Sequence, residues 1–239
     1  MDSTATAIDR IHDRIVAIEQ ALDSGQYRPG PWESMVRIVR ALPIADRALL
    51  ADDLSRVSRK LHQRHHWRTV SVNVALALEI VLAIIGGILL VLGLQYGSDL
   101  LVIAAAALWS VAFQPLIKVT TGLLLGLGYD YAYLYYVEPR FKMTYGEYLA
   151  APRWARIKLH CAGMIGSPLG LWLPTVWASN NLLAAINICR AFFWLIVLIN
   201  AGSFFAALCG IRKIAGFRLR LIDSSGGMAA LELREALEI

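Results

Sequence analysis

The sequence predicts an all-α, polytopic membrane protein with four transmembrane helices, an N-terminal cytoplasmic helical domain and an interfacial elbow helix. Three observations carry that expectation. Apolar residues make up 57% of the 239 positions against 17% charged, with a mean hydropathy of +0.54, beyond the usual apolar share of a soluble domain. The longest apolar stretches all lie after residue 69. None of the 23 Lys and Arg residues falls in the two short polar turns, 95–99 and 179–181, that separate these stretches. Eleven basic residues precede the first stretch, five lie between Arg140 and Lys158, and four between Arg212 and Arg220. Under the positive-inside rule those segments, and both termini, are cytoplasmic.

Residues 1–69 are expected to form a helical domain. Ile8, Ile11, Ile15, Ile18 and Leu22 recur at helical spacing, and Ser24-Gly25 ends that helix. A turn with two glycines and two prolines follows. Trp32, Met35, Ile38, Val39 and Leu42 then make a second apolar face. Pro43 suits the first turn of a third helix carrying Leu49, Leu50, Leu54, Val57 and Leu61. These stripes can pack on one another or leave one face for a partner. The run 61–68 ends the third helix. His62 and His66 stand one turn apart there, as in a metal pair, but Arg64 and Arg68 would repel a cation, and a basic collar with a Trp67 anchor explains the whole run. No metal or cofactor is expected. No long apolar run occurs at the start, so the hydrophobic segments themselves are expected to direct insertion, without a cleaved signal peptide.

The transmembrane domain is expected over 70–210, with spans at about 70–94, 100–126, 161–178 and 182–209. The first is long enough for a hydrocarbon layer of roughly 30 Å. The stretch 100–137 would be about 57 Å long as one helix, so it must leave the bilayer partway. Gly122, Gly126 and Gly128 mark the exit, and Tyr129, Tyr131, Tyr133, Tyr135 and Tyr136 would then form an inner aromatic belt. The segment 139–160 is expected to be an amphipathic elbow on the membrane, opened by the capping spacing of Thr144 and Glu147 and reopened at Pro152. The span 161–178 holds Gly163, Gly166, Pro168, Gly170 and Pro174, which predict a kink, an unwound turn or a re-entrant segment, and the basic tail after it favours a crossing with a break. The tail 211–239 alternates apolar and basic residues over 217–222 and ends in a helix with Leu231, Leu233 and Leu237.

Candidate functional residues are the polar groups at membrane depth, each costly unless paired or hydrated. Glu79 and Lys118 are at matching depths and are expected to pair. Gln114 is one turn from Lys118, and Asn200 enters near the same level. Arg190 lies nearer the outer side, with Asp99 as its one acidic neighbour. Arg140, Lys142, Arg153, Arg156 and Lys158 are candidates for anionic lipid headgroups on the cytoplasmic side.

Several chemistries are disfavoured. Cys161, Cys189 and Cys209 are odd in number, with no CxxC spacing, which argues against a disulfide framework or zinc site. Only His160 lies near the membrane core, too few histidines for a haem with two helix ligands. There is no HExxH, GxSxG or phosphate-loop motif. A weak lipid-enzyme set remains at Tyr145, Glu147, Arg153, Arg156 and His160. The net charge of +5 sits beside membrane ends, so nucleic acid is not an expected partner. The leading expectation is a non-catalytic inner-membrane subunit or assembly protein whose cytoplasmic helices bind a protein partner, or which forms a homo-oligomer. A small transporter or lipid-binding permease comes second, and a lipid-modifying enzyme at the inner face third.

Overall fold

A computed structural model describes residues 2–135, 138–211, 213–214, 217–218 and 224–237. Tyr136, Arg212, Arg220 and the stretch 219–222, singled out in the sequence, lie outside the described residues. In chain order the elements are α1 (Asp2–Asp23), α2 (Pro31–Arg40), α3 (Ile44–Leu49), α4 (Ala51–Gln63), β1 (Thr69–Val70), α5 (Val72–Tyr96), α6 (Asp99–Leu124), β2 (Tyr129–Tyr135), β3 (Glu138–Met143), α7 (Tyr145–Ala150), α8 (Arg153–Trp177), α9 (Leu183–Leu208), β4 (Lys213–Ile214), β5 (Phe217–Arg218) and α10 (Ser225–Leu237). The protein is mostly helical. It divides into two compact units, one of residues 1–71 with 127–152 and the other of 72–126 with 153–239.

In the first unit the α1 stripe is buried at Ile11, Ile15 and Ile18, the α4 stripe at Leu54 and Val57, and α2 contributes Met35 and Val39. The expected third helix is two, because the chain breaks at Leu50, whose backbone leaves the helical region. Charges close the outside of the α1–α4 contact. Arg56 bonds Glu19 and Asp53, Lys60 bonds Glu19 and Asp23, and His12 bonds Asp53, at 2.7 to 2.8 Å. These are largely exposed pairs that select the partner helix more than they stabilise it.

Two sequence expectations are corrected here. The all-α expectation gives way at Tyr129, Tyr131, Tyr133 and Tyr135, the residues of the expected aromatic belt, which lie on a β-strand. Strand β2 pairs antiparallel with β1 (Thr69 opposite Tyr133) and with β3 (Tyr133 opposite Arg140). An aromatic residue at every second position suits a pleated surface better than a helix. The elbow does not form one amphipathic element either. Its first half, β3 and α7, folds into this unit: Tyr148 and Leu149 are buried, and Arg47 donates to the Leu42 and Leu149 carbonyls at 2.8 and 3.2 Å. Gly146 lies directly on the Ala51 backbone, where any side chain would overlap it, and its N–H bonds Ser55 Oγ at 2.9 Å.

Among the described residues the second unit has three helices long and apolar enough to cross a membrane: Val72–Tyr96, Asp99–Leu124 and Asn180–Leu208, the last including a 3-10 turn before α9. Their outer surfaces are rows of exposed Leu, Ile, Val and Phe, such as Leu78, Ile84, Ile88, Leu198 and Phe205. Such rows suit lipid and not water. The buried stripe of α5 is Ala75, Glu79, Gly86, Leu90 and Gly93. Trp109 of α6 covers Gly86 and donates its indole N–H to the Ala83 carbonyl at 2.8 Å.

The second half of the expected elbow and the expected span 161–178 are one continuous helix, α8. Its glycines are packing positions and not breaks. A Cβ on Gly166 would overlap the Gln114 backbone, and one on Gly170 the backbone of Trp109 and Ser110. Ser167 ties the seam by donating to the Ser110 carbonyl at 2.9 Å. Pro168 lacks an N–H and so leaves the Met164 carbonyl without its helical donor. Asn200 of α9 supplies one, its Nδ2 lying 3.3 Å away, so the helix continues past the proline. Helix α10 packs on both α8 and α9.

Candidate functional site

The polar residues of the second unit converge on the start of α10 and not on Glu79. Lys118 Nζ lies 3.4 Å from Ser225 Oγ, and its side chain passes Gly163. Ser224 donates to Ser203 at 3.0 Å and its hydroxyl accepts the Gly227 N–H at 3.2 Å. Gly226 sits against the Asn200 carbonyl and Ser203, an approach open only to a residue without a side chain. Two turns further along α10, Glu232 faces Arg156 of α8 at 3.2 Å, with both side chains 1% exposed. His160, one turn beyond Arg156, is also buried. Arg153 donates to the Glu235 carbonyl at 3.0 Å, and Arg234 lies over Gly210.

The expected Glu79–Lys118 pair does not form. On α6 the face toward α5 is Val102, Ala105 and Trp109, whereas Ser110, Gln114 and Lys118 form the stripe against α8. Glu79 is buried in the α5 stripe, 1% exposed, and makes no hydrogen bond or ion pair with a described residue. Carrying the α5–α6 register inward from Gly86 and Trp109 puts it opposite Ala112 and Pro115. Gln114 packs by its backbone on Gly166, and Asn200 caps Met164. Arg190 is exposed on α9 and does not meet Asp99, which instead caps that helix by accepting the Ala185 N–H at 2.7 Å.

The headgroup candidates separate as well. Arg140 and Lys142 are on β3 in the first unit. Lys142 is half-buried there, donates to Ser58 Oγ at 2.7 Å, and has its pKa pushed down to about 8, chiefly by desolvation. Arg156 is enclosed against Glu232, while Arg153 and Lys158 are exposed on α8. Lys158 Nζ stands 4.5 Å over the Trp154 ring.

His62 bonds the Tyr131 hydroxyl at 2.9 Å and meets the Tyr133 ring edge-on at 4.3 Å. Burial lowers its pKa, with Lys142 and His65 adding to the effect. Because α4 ends at Gln63, His62 and His66 do not share a helical face. The weak enzyme set is divided too: Tyr145 and Glu147 belong to the first unit, where Glu147 accepts the Gly128 N–H at 2.6 Å, and Arg156 and His160 to the second.

A second candidate lies in the first unit. Helices α1 and α2 diverge around a groove of about 570 Å³. Each lines it with residues at i, i+3, i+4 and i+7: Arg14, Ala17, Ile18 and Ala21 from one, Pro31, Ser34, Met35 and Ile38 from the other. Its floor is apolar, and its rim carries Arg14 and Arg28, which have no ion pair or hydrogen bond with a described residue. Glu19 and Asp23 of α1, by contrast, turn to α4.

Sequence reasoning missed the groove because its helices look self-packed on apolar spacing alone. It also missed Ser203, Ser224, Ser225 and Glu232. The available signal was Ser224-Ser225-Gly226-Gly227 before an apolar helix, with Glu232 set between Leu231 and Leu233. Comparison with known proteins finds no matching family model, curated protein or solved structure.

Proposed function

We propose that this chain is a non-catalytic, membrane-anchored docking subunit whose α1–α2 groove receives an apolar, acidic segment of a partner protein. The observation that carries the reading is the groove itself: two diverging helices with matched apolar faces, and two unengaged arginines at the rim. An amphipathic helix laid in such a groove would bury its apolar side on Ala17, Ala21 and Ile38, above a floor of Ile18 and Met35, and set its acids against Arg14 and Arg28. The spans serve to hold this unit at the inner membrane.

In this reading α8 is a fourth span and both termini are cytoplasmic. Its 25 residues cover about 37 Å at 1.5 Å each, of which the 17 after His160 cover about 25 Å, at the short end of what crosses a membrane. Its lower hydropathy comes from Arg153, Arg156, Lys158 and His160 in the first turns, where the positive-inside rule expects charge. Transport is the weaker reading, since Lys118 is occupied at α10 and Asn200 at Met164, leaving Glu79 alone.

A photo-crosslinking residue at Ala21, introduced in the full chain in its own membrane, tests the proposal. Crosslinks to one acidic segment of a second polypeptide, lost on reversing both charges in Arg14→Glu with Arg28→Glu, are the expected result. Crosslinks confined to the chain itself, or unaffected by charge reversal, would overturn it.

A further inference from the structure

We infer that α8 and α9 form a binding site for one anionic phospholipid of the inner leaflet, with an acyl chain in the groove between them and the phosphate on Lys158. The site does not depend on partner docking, but it rests on the reading of α8 as a span.

The groove has a volume of about 420 Å³ and is almost wholly apolar, lined by Met164, Pro168 and Trp172 of α8 and Phe193, Val197 and Ala201 of α9. Its cause is local. The Asn200 amide is drawn aside to the carbonyl that Pro168 frees, and the next residue, Ala201, is too small to fill the gap. Helix α10 meets α8 at Arg156 and Gly163 and α9 at the Asn200 carbonyl and Ser203, and no α10 residue lines the groove.

The groove continues into a cationic end. On α8 the residues 172, 168, 165, 161, 158 and 154 fall on one helical stripe by their three- and four-residue spacing. Moving inward, that stripe passes from Trp172 and Ile165 to Cys161, then Lys158 and Trp154. Lys158 and Trp154 are exposed, and the ammonium stands over the ring. Their pairing makes an amphipathic anchor of the type found at headgroup level. Along the helix, Lys158 is about 9 Å from Met164 and about 21 Å from Trp172. A leaflet, half of the roughly 30 Å core, is about 15 Å thick. A lipid with its phosphate at Lys158 would therefore have its chain along the inner part of the groove, from Met164 at about 9 Å to Pro168 at about 15 Å, within its own leaflet. The cation gives the preference for a negative headgroup, and the groove the preference for a chain.

The test uses the full-length protein in discs of phosphatidylcholine with a minority of phosphatidylglycerol, transferred to mild detergent for native mass spectrometry. The wild type should retain one phosphatidylglycerol per chain in preference to phosphatidylcholine. Lys158→Ala should lower that retention by about tenfold, the worth of a charge-assisted contact, and Ala201→Trp, which fills the groove, should abolish it. Arg14→Glu with Arg28→Glu should leave it unchanged, so failure of the docking reading is seen separately. Equal retention of both lipids by the wild type, or undiminished phosphatidylglycerol in both site variants, would overturn the proposal. Asn180→Cys should react with an impermeant reagent from outside in intact cells, and protection of that cysteine would overturn the fourth span and this site together.

Discussion

The Arg156–Glu232 pair should hold α10 in place. Both side chains are 1% exposed and 3.2 Å apart, so removing one takes this counter-charge from the other while it stays buried. Breaking a buried pair from one side costs about 3–5 kcal/mol, whereas replacing both partners with apolar residues of similar volume is often neutral. At about 1.4 kcal/mol per tenfold, Arg156→Met or Glu232→Leu alone should raise the undocked population of α10 by roughly a hundred- to several-thousandfold. The double variant should return close to wild type. Amide hydrogen exchange over 225–237, measured on the full chain in lipid discs, reads that population directly. Protection that is equal in the wild type and both single variants would refute the reasoning. So would a double variant that loses as much as the two singles combined.

Three further outcomes follow from the packing and the charges. Glu79→Leu should stabilise the protein to steric trapping or thermal unfolding by about 1–3 kcal/mol, because it removes a buried carboxyl without a described partner; a loss of stability would show that the carboxyl is engaged. Gly166→Ala should cost about 1–3 kcal/mol by forcing α6 from α8, while Gly202→Ala, with nothing within 4 Å of its added Cβ, should be neutral or slightly stabilising, and equal effects would contradict the seam. For Lys142, pushed down to about 8 in the folded state from 10.5, the unfolded chain binds more protons between those values, so stability rises with pH across that window. Lys142→Met should therefore be more stable than wild type at pH 7, by roughly 1–3 kcal/mol less whatever the Ser58 bond contributes. Its advantage should shrink as pH rises above 8. Tyrosines held above their ordinary range by burial, Tyr129 and Tyr131, give the opposite slope above pH 10 in both proteins, and a wild-type-to-variant difference flat from pH 7 to 10 would refute the assignment.

Much of the helical frame is legible from length and pattern. Helices α5, α6 and α9 follow from uninterrupted apolar runs, and α1 from the spacing of its isoleucines, because both signals are local. Strand β2 is legible in hindsight from tyrosines at every second position. The competing belt reading arises because Tyr also favours a headgroup interface. Glycine in α8 misleads for a different reason: it weakens a helix intrinsically, yet here it lets two backbones meet, and only the neighbour's surface distinguishes the two effects. The Glu79–Lys118 pairing fails on rotation about α6 and not on depth. Depth can be counted along a sequence, whereas facing requires knowing which stripe α8 occupies. The α10 site is the least legible, since Lys118, Arg156, Asn200, Ser203 and Glu232 come from four helices and share no spacing.

A native mass spectrum of the full chain, taken from its own membrane in a polymer disc, tests the docking claim most directly. The wild type should carry a stoichiometric second polypeptide. Ala21→Trp, which fills the α1–α2 groove, should lose it while keeping the same melting temperature. A wild-type spectrum showing only homo-oligomers, or a partner retained by Ala21→Trp, would contradict the account.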